Sequence, residues 1–466
     1  MKAIEAAKEG KNTHTQNKMG TAPVGRMLLT MSLPLMLSML FEAFYNVVDS
    51  LFVAYVSEKA LTAVSLAFPI QLLVVSVTVG TGVGINACLS RMLGENNQKG
   101  VDSAAMNGVF LALLTYVVFL IFGIFFSKVY FTSQTSDAEI CQYGIDYLSV
   151  CMIYSFGAVG QIAFQRILQS TGRTVLSMVS QLVGAVINIA FDPILIFGYF
   201  GFPAMGTRGA AIATVSGQIV AFVIAVYFNF AKNKDVNFRV KGYRPDLRMI
   251  GEIYRVGVPA IVNQSLNSLM AFGVNFILIK ISATAVAAFG IYIKVQNFIF
   301  MPTFGVGNGA IAIIAFNYGA RQKKRIDAAI KFGSIYACCI MLLGTLLIQI
   351  FANQILALFD ASADLMSAGV PALRIISSSF IFAALTLIMQ SAYQGLANGV
   401  YSLIITLMRV VVVLLPALYI FARIFDLKHV WWAFVLAEGF SALVGAFLLK
   451  RIYFQKVAPL DRAMDV

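Results

Sequence analysis

An apolar run of about 20 residues folds most readily as a helix crossing a bilayer, because lipid offers no partners to open backbone groups. This sequence holds twelve such runs, at 27–56, 60–90, 104–127, 143–168, 175–197, 208–230, 251–280, 285–316, 327–351, 366–394, 402–425 and 430–453. Only 12% of its 466 residues are charged, against about 25% in soluble domains. The expected fold is an all-α integral membrane protein with twelve transmembrane helices. Long runs rather than short alternating segments exclude an outer-membrane barrel. Pro34, Pro69, Pro193, Pro259, Pro302 and Pro416 fall inside the runs and are expected to kink them.

Charge sets the orientation. A net charge of +13 could signal nucleic-acid binding, but the basic residues collect in alternate loops and no stacking aromatics accompany them. They lie in the N-terminal tail (Lys2, Lys8, Lys11, Lys18, Arg26), after the second run (Arg91, Lys99), at Arg173, and in the linker (Lys232, Lys234, Arg239, Lys241, Arg244, Arg248). More follow the eighth run (Arg321, Lys323, Lys324, Arg325) and close the last (Lys450, Arg451, Lys456). The loop after the ninth run offers only Asp360 and Asp364. With twelve spans, every basic loop falls on one side, so both termini are expected in the cytosol of a cell-membrane protein. Residues 1–26 lack the apolar core of a signal peptide and read as a cytosolic tail, partly disordered and weakly attracted to anionic headgroups. Residues 454–466 read as a second tail. The five cysteines (Cys88, Cys141, Cys151, Cys338, Cys339) form no CxxC pair and read as apolar filler. The two histidines, His14 and His429, lie outside the runs, which excludes a histidine-based metal site.

The two halves repeat. GRMLLTMSLPLML from Gly25 resembles GEIYRVGVPAIV from Gly251, with Pro34 matching Pro259. RMLGENNQKGVDSA resembles FNYGARQKKRIDAA, with Gly94 matching Gly319 and Asp102 matching Asp327. QSTGR around Gly172 resembles QGLANG around Ala397, and all three pairs share an offset of about 225 residues. Each half therefore begins on the same membrane side. The reading is an N-lobe at 27–230, a cytosolic basic linker at 231–250 and a C-lobe at 251–453, two pseudo-symmetric six-helix bundles in parallel around a central cleft. That is a transporter architecture, expected to work as a monomer among membrane lipids.

Polar residues inside the runs mark where chemistry is done. A carboxylate near mid-membrane costs roughly 2.5–3.5 kcal/mol on insertion scales and calls for a partner. The first run carries Glu42, Asn46 and Asp49 at i, i+4 and i+7, on one helical face. The fifth run carries Asn188 and Asp192 one turn apart, followed by Pro193, which frees the carbonyl of Ile189. The sixth run opens with the small residues GAAIAT, Gly209 to Thr214, suited to close helix contact. Counting along each run places Asp49, Asn188, Asp192 and Thr214 in the outer half of the membrane, where they permit one site for a proton or Na⁺. The alternative is that each is a satisfied helix–helix hydrogen bond. Glu42 reads as a cavity acid attracting cations, or as a structural partner. Gln161, Gln165 and Gln169 form a stripe that lines a cavity or glues helices together. In the second half, helix 7 offers Asn263, Gln264, Asn267 and Asn275 but no buried acid, and Lys294 stands in helix 8 as a cavity cation or a carbonyl's partner. The acids thus belong to one lobe only. GVGNG at Gly305 to Gly309 and TGVGIN from Thr81 lie inside apolar helices and serve packing rather than phosphate binding. No Walker A loop, HExxH or GxSxG occurs, which disfavours an ATP-driven pump and an enzyme, and nothing calls for a cofactor.

YNVVDSLFVAYV in the first run, NIAFDPILIFG followed by GAAIAT, and FIFMPTFGVGNGAIAIIAFNYGARQKKR resemble the MATE family of multidrug and toxic compound extrusion transporters. The resemblance covers nearly the whole chain and is strongest to the bacterial drug-pump branch. It implies a V-shaped pair of lobes and alternating access driven by Na⁺ or H⁺ entry. It also implies export of small organic cations, and an N-lobe cation site at Asp49, Asn188, Asp192 and Thr214, where Na⁺ is one candidate ion. Some members carry an acid in helix 7; here Asn267 stands nearby instead, which argues against ion coupling in the C-lobe. The substrate cavity candidates are Glu42, Asn46, Gln161, Gln165, Asn267 and Lys294. The competing reading is a lipid-linked oligosaccharide flippase of the wider superfamily, disfavoured because the N-lobe is acidic rather than cationic.

Overall fold

The computed structural model describes residues 17–238, 243–359 and 361–460. Lys2, Lys8, Lys11, His14, Arg239, Lys241 and Asp360 lie outside them. Among the described residues, ten helices are long and apolar enough to cross a membrane, and two bent pairs complete twelve spans. The first six are α1 (Val24–Val56), α2 (Glu58–Gly94), α3 (Gln98–Phe125), α4 (Ala138–Ile153 with Phe156–Ser170), α5 (Thr174–Phe197) and α6 (Gly206–Ala231). The second six are α7 (Leu247–Leu278), α8 (Ala283–Gly319), α9 (Lys323–Ala357), α10 (Ala363–Ser377 with Phe380–Gly395), α11 (Gly399–Ile424) and α12 (Leu427–Leu460). The chain is an all-α membrane protein of twelve helices in two pseudo-symmetric bundles around a central cleft.

The sharp bends are not where prolines predict them. The pairs of α4 and α10 turn by 42° and 47° at Tyr154–Ser155 and Ser378–Ser379, with no proline at either break. The six prolines instead sit in helical runs that continue through them. The fourth and tenth runs are therefore broken spans rather than single helices. In α11 the ladder widens to a π-helix over Met408–Leu414.

The sequence repeat is written into the backbone. Asn96 (φ 54°) and Arg321 (φ 55°) take the left-handed conformation at equivalent turns, as do Gly172 (φ 81°) and Ala397 (φ 52°). Ser57 and Ser282 cap α2 and α8 by accepting from Ala60 N and Ala285 N, each at 3.0 Å. Asp102 on α3 accepts from Asn237 N at 2.9 Å and anchors the linker, while its repeat counterpart Asp327 accepts from the Tyr453 hydroxyl at 3.1 Å and anchors the end of α12.

The bundles meet at one end and part at the other. α7 packs on α2, and α8 packs on α1 and α2. At the turns bearing Arg91 and Arg321, Gly94 faces the carbonyl of Phe316 and Gly319 faces the carbonyl of Arg91, so closely that a Cβ at either would clash with backbone. Arg91 also pairs with Glu252 across this junction. Away from it, α1 leans on α5 and α7 leans on α11, so the bundles separate into a cleft. The N-terminal tail joins the closed end. Residues Lys18–Thr21 form one helical turn with Met19 fully buried; Arg325 donates to the carbonyls of Met19 (2.8 Å) and Ala22 (2.7 Å), and Asn17 donates to the carbonyl of Thr171 (3.3 Å). Residues 17–22 are therefore a clasp between the bundles, within the stretch 1–26 that the sequence reads as a cytosolic tail.

Candidate functional site

Three helices of the first bundle converge on one polar locus. α5 and α6 cross at Gly184 and Gly217, where a Cβ on Gly184 would come within 2.7 Å of the Gly217 carbonyl oxygen. That approach sets Asn188, one turn further along α5, beside Thr214 of α6, and the Asn188 amide donates to the Thr214 hydroxyl at 3.3 Å. α1 packs across α5 and brings the Asp49 carboxyl within hydrogen-bonding reach of Asp192. Asp49, Asn188 and Asp192 are 9%, 3% and 0% exposed, and Thr214 is half-buried. The four residues expected to share a site are thus brought together.

The locus has an excess of acceptors. Asp49 Oδ1, Asn188 Oδ1 and both Asp192 carboxylate oxygens are buried and receive no hydrogen bond. Buried acceptors in apolar surroundings are costly, and two facing carboxylates tolerate each other only with a proton or cation between them. The donor set of two carboxylates, an amide oxygen and a hydroxyl suits a proton or a small hard monovalent cation. Among the described residues no cluster of three or more His, Cys, Asp or Glu side chains is suited to a metal ion.

A small cavity of about 20 Å³, room for roughly one water molecule, lies alongside, lined by Tyr45, Gln161, Gln181, Gly184, Asn188 and Thr214 among others. The glutamine stripe of α4 faces α5. Gln161 donates to Gln181 Oε1, Gln165 to Ser180 Oγ and Gln181 Oε1 at 3.0 Å each, and Gln169 to Ser177 Oγ at 3.0 Å. Gln165 and Gln169 are therefore tied between helices, while Gln161 also borders the pocket. The three polar residues of α1 separate in role. Asp49 joins the acceptor locus; Asn46 is exposed and its amide turns back to the Glu42 carbonyl at 2.8 Å; Glu42 is half-buried within Coulombic reach of Arg166.

Arg166 was not singled out by the sequence reading, although an arginine inside the fourth run is the signal that should have found it. Arg166 is 7% exposed, and its guanidinium donates to Asn308 Oδ1 on α8 at 2.8 Å and to Gln169 Oε1 at 3.2 Å, joining the bundles. The second bundle also departs from expectation. It carries an acid after all, Glu438 on α12, paired at 2.8 Å with Arg409 in the π-helical turn of α11, and the two side chains are only 14% and 18% exposed. Asn267 on α7 accepts a long bond from Arg409 at 3.4 Å. Helix α7 carries Glu252, exposed and paired with Arg91 at the closed end, but no buried acid; the buried acid of this bundle comes from α12. Lys294 is exposed and lies 5.6 Å over the ring of Phe359.

With the fold and locus described, comparison with known proteins places the chain. A family model described as MatE matches residues 34–194 and again 259–420, beginning in each half at the repeated proline. The chain belongs to the MatE family, and is accordingly a transport protein rather than an enzyme. It is 26% identical over 404 residues to the probable multidrug resistance protein NorM of Thermotoga maritima, covering 87% of each chain. It is 25% identical over 439 residues to the multidrug export protein MepA of Staphylococcus aureus, covering 92% of this chain and 94% of that one. A solved structure described as the outward-facing conformation of a multidrug resistance MATE family transporter superposes with a TM-score of 0.89 at 25% identity, over 97% of this chain and 100% of that one.

Proposed function

We propose that this protein is a secondary antiporter that exports cationic or amphipathic organic compounds in exchange for Na⁺ or H⁺, coupled at Asp49, Asn188, Asp192 and Thr214. The observation that carries the reading is the set of four buried side-chain oxygens there that receive no hydrogen bond. The multidrug exporters among the relatives supply the substrate class.

The mechanism uses the lobes, 27–230 and 251–453, as the moving units. Basic loops put both termini in the cytosol, which makes the closed end cytosolic and the cleft outward-facing. A proton or Na⁺ arriving from outside neutralises Asp49 and Asp192 and draws α1 against α5. That repacking shifts the cavity lining at Tyr45, Gln161 and Thr214, lowers the hold of the adjoining cleft on a bound organic cation, and favours release outward. Return to the inward-facing state requires parting the closed end, where Arg166–Asn308, Arg91–Glu252 and the clasp at Arg325 hold the lobes together. One chain in lipid carries every part this cycle needs.

Proteoliposomes loaded with a cationic dye provide the test, with Na⁺ and pH gradients imposed separately. One gradient should drive efflux beyond passive leak. Efflux driven by neither would overturn the antiporter reading.

A further inference from the structure

The repeat invites a comparison of the cavity beside the coupling locus with the matching place in the second bundle, where Asp49 and Asp192 are replaced by Val274 and Ala417. Shifted by the repeat offset of about 225 residues, Arg409 falls on Gly184, and Glu438 falls one residue short of Thr214. Gly184 and Thr214 both line the pocket of the first bundle. Where that bundle leaves room, the second sets a guanidinium against a carboxylate at 2.8 Å. The backbone is adapted to the side chain: α11 opens into a π-helix over Met408–Leu414, a distortion common where helices carry function, whereas α5 is an unbroken α-helix at the equivalent turn. Asn267, the repeat counterpart of Glu42, meets Arg409 from α7, so the position that is acidic in one lobe is a neutral acceptor in the other.

We propose that Arg409 is a tethered cation: it fills in the C-lobe the space that the N-lobe leaves open at Gly184, beside Asn188 and Thr214, and so closes Glu438 to ions and to cationic substrates. This rests on the cation-binding reading of the N-lobe. Arg409 then determines specificity by leaving a single cation site in a molecule built of two similar halves. Arginine fits the role because its charge is permanent and its planar fork holds a carboxylate without exchange. Arg409 Nε and Glu438 Oε2 are buried and make no hydrogen bond, so the two charges are met chiefly by the single Nη1–Oε1 bond between them, with the long bond to Asn267 beside it.

A charge cycle on purified full-length protein tests this, read by equilibrium binding of tetraphenylphosphonium and of Na⁺ with no gradient present. Wild type should show one class of tetraphenylphosphonium site. Arg409→Gln should add a second cation site, seen as a stoichiometry raised by one for tetraphenylphosphonium or Na⁺. Glu438→Gln, which leaves the guanidinium uncompensated, should weaken tetraphenylphosphonium binding about tenfold, or about 1.4 kcal/mol. The double variant Arg409→Gln/Glu438→Gln should return to wild-type binding. A folded Arg409→Gln with unchanged stoichiometry would overturn the proposal. If that variant does not fold, Glu438→Gln binding as wild type overturns it equally. Unchanged Na⁺ binding in a folded Asp49→Asn, with the Arg409 and Glu438 variants behaving as stated, would count against the N-lobe site alone, so the two failures are distinguishable.

Discussion

Asp49 of α1 and Asp192 of α5 stand within hydrogen-bonding reach of each other, and three of their four carboxylate oxygens receive no donor. They come from different helices, so whatever neutralises them also ties α1 to α5. Charge and helix packing are thereby joined at one point, which is what an ion-coupled conformational change requires.

The close crossing of α5 and α6 is the first thing to disturb. Gly184→Leu drives a side chain into the Gly217 carbonyl and the adjoining pocket. Overpacking of this kind costs about 1–3 kcal/mol. Dye efflux should fall at least tenfold while detergent-extracted protein stays monodisperse by gel filtration, and a wild-type rate would show that the pocket is not used.

The tie between lobes at Arg166 is the second. Asn308→Ala removes the acceptor at 2.8 Å and leaves a buried guanidinium short of one partner. The loss should be about 1.5–3 kcal/mol against the closed end. Labelling of a cysteine introduced near the Arg91 turn should then accelerate, since that end opens more often.

The clasp predicts a separate effect. Arg325→Ala removes a donor from the carbonyls of Met19 and Ala22, leaving Met19 only its bond from Asn317 at 3.2 Å. At about 1–3 kcal/mol in total, residues 17–22 should become protease-sensitive without loss of the membrane-embedded core. Cleavage at the wild-type rate would mean that Asn317 and apolar burial of Met19 hold the segment unaided.

One pH effect lies outside the membrane. Lys59 donates to Asp137 (3.0 Å) and Glu139 (2.8 Å), and this bond, with the amides of Ile140 and Glu139, holds the Asp137 carboxyl below the usual carboxylate range. A depressed folded-state value contributes stability that is full above about 3.9, the unfolded value, and is lost as pH falls through the folded one. Below about pH 4 the start of α4 should fray, read by hydrogen exchange at Ile140 and Cys141. Lys59→Ala should move the onset upward.

Much of this was legible in the sequence because membrane helices announce themselves by run length and because duplicated turns repeat their residues. Asp49, Asn188, Asp192 and Thr214 could be matched by depth alone, since three outer-half positions on neighbouring helices leave few other meetings. The bends at Tyr154 and Ser378 were not legible, as neither carries a helix breaker and both are set by packing between helices. Arg409 and Glu438 sit 29 residues apart on separate helices, and only the fold shows that they pair. The clasp was hidden for another reason. Its bonds run to backbone carbonyls, which every sequence has and none advertises.

The account stands or falls on the two facing acids. Asp49→Asn and Asp192→Asn should each abolish gradient-driven efflux of a cationic dye from proteoliposomes while the purified variants remain folded. If both variants fold normally and keep full gradient-driven export, the coupling site is elsewhere.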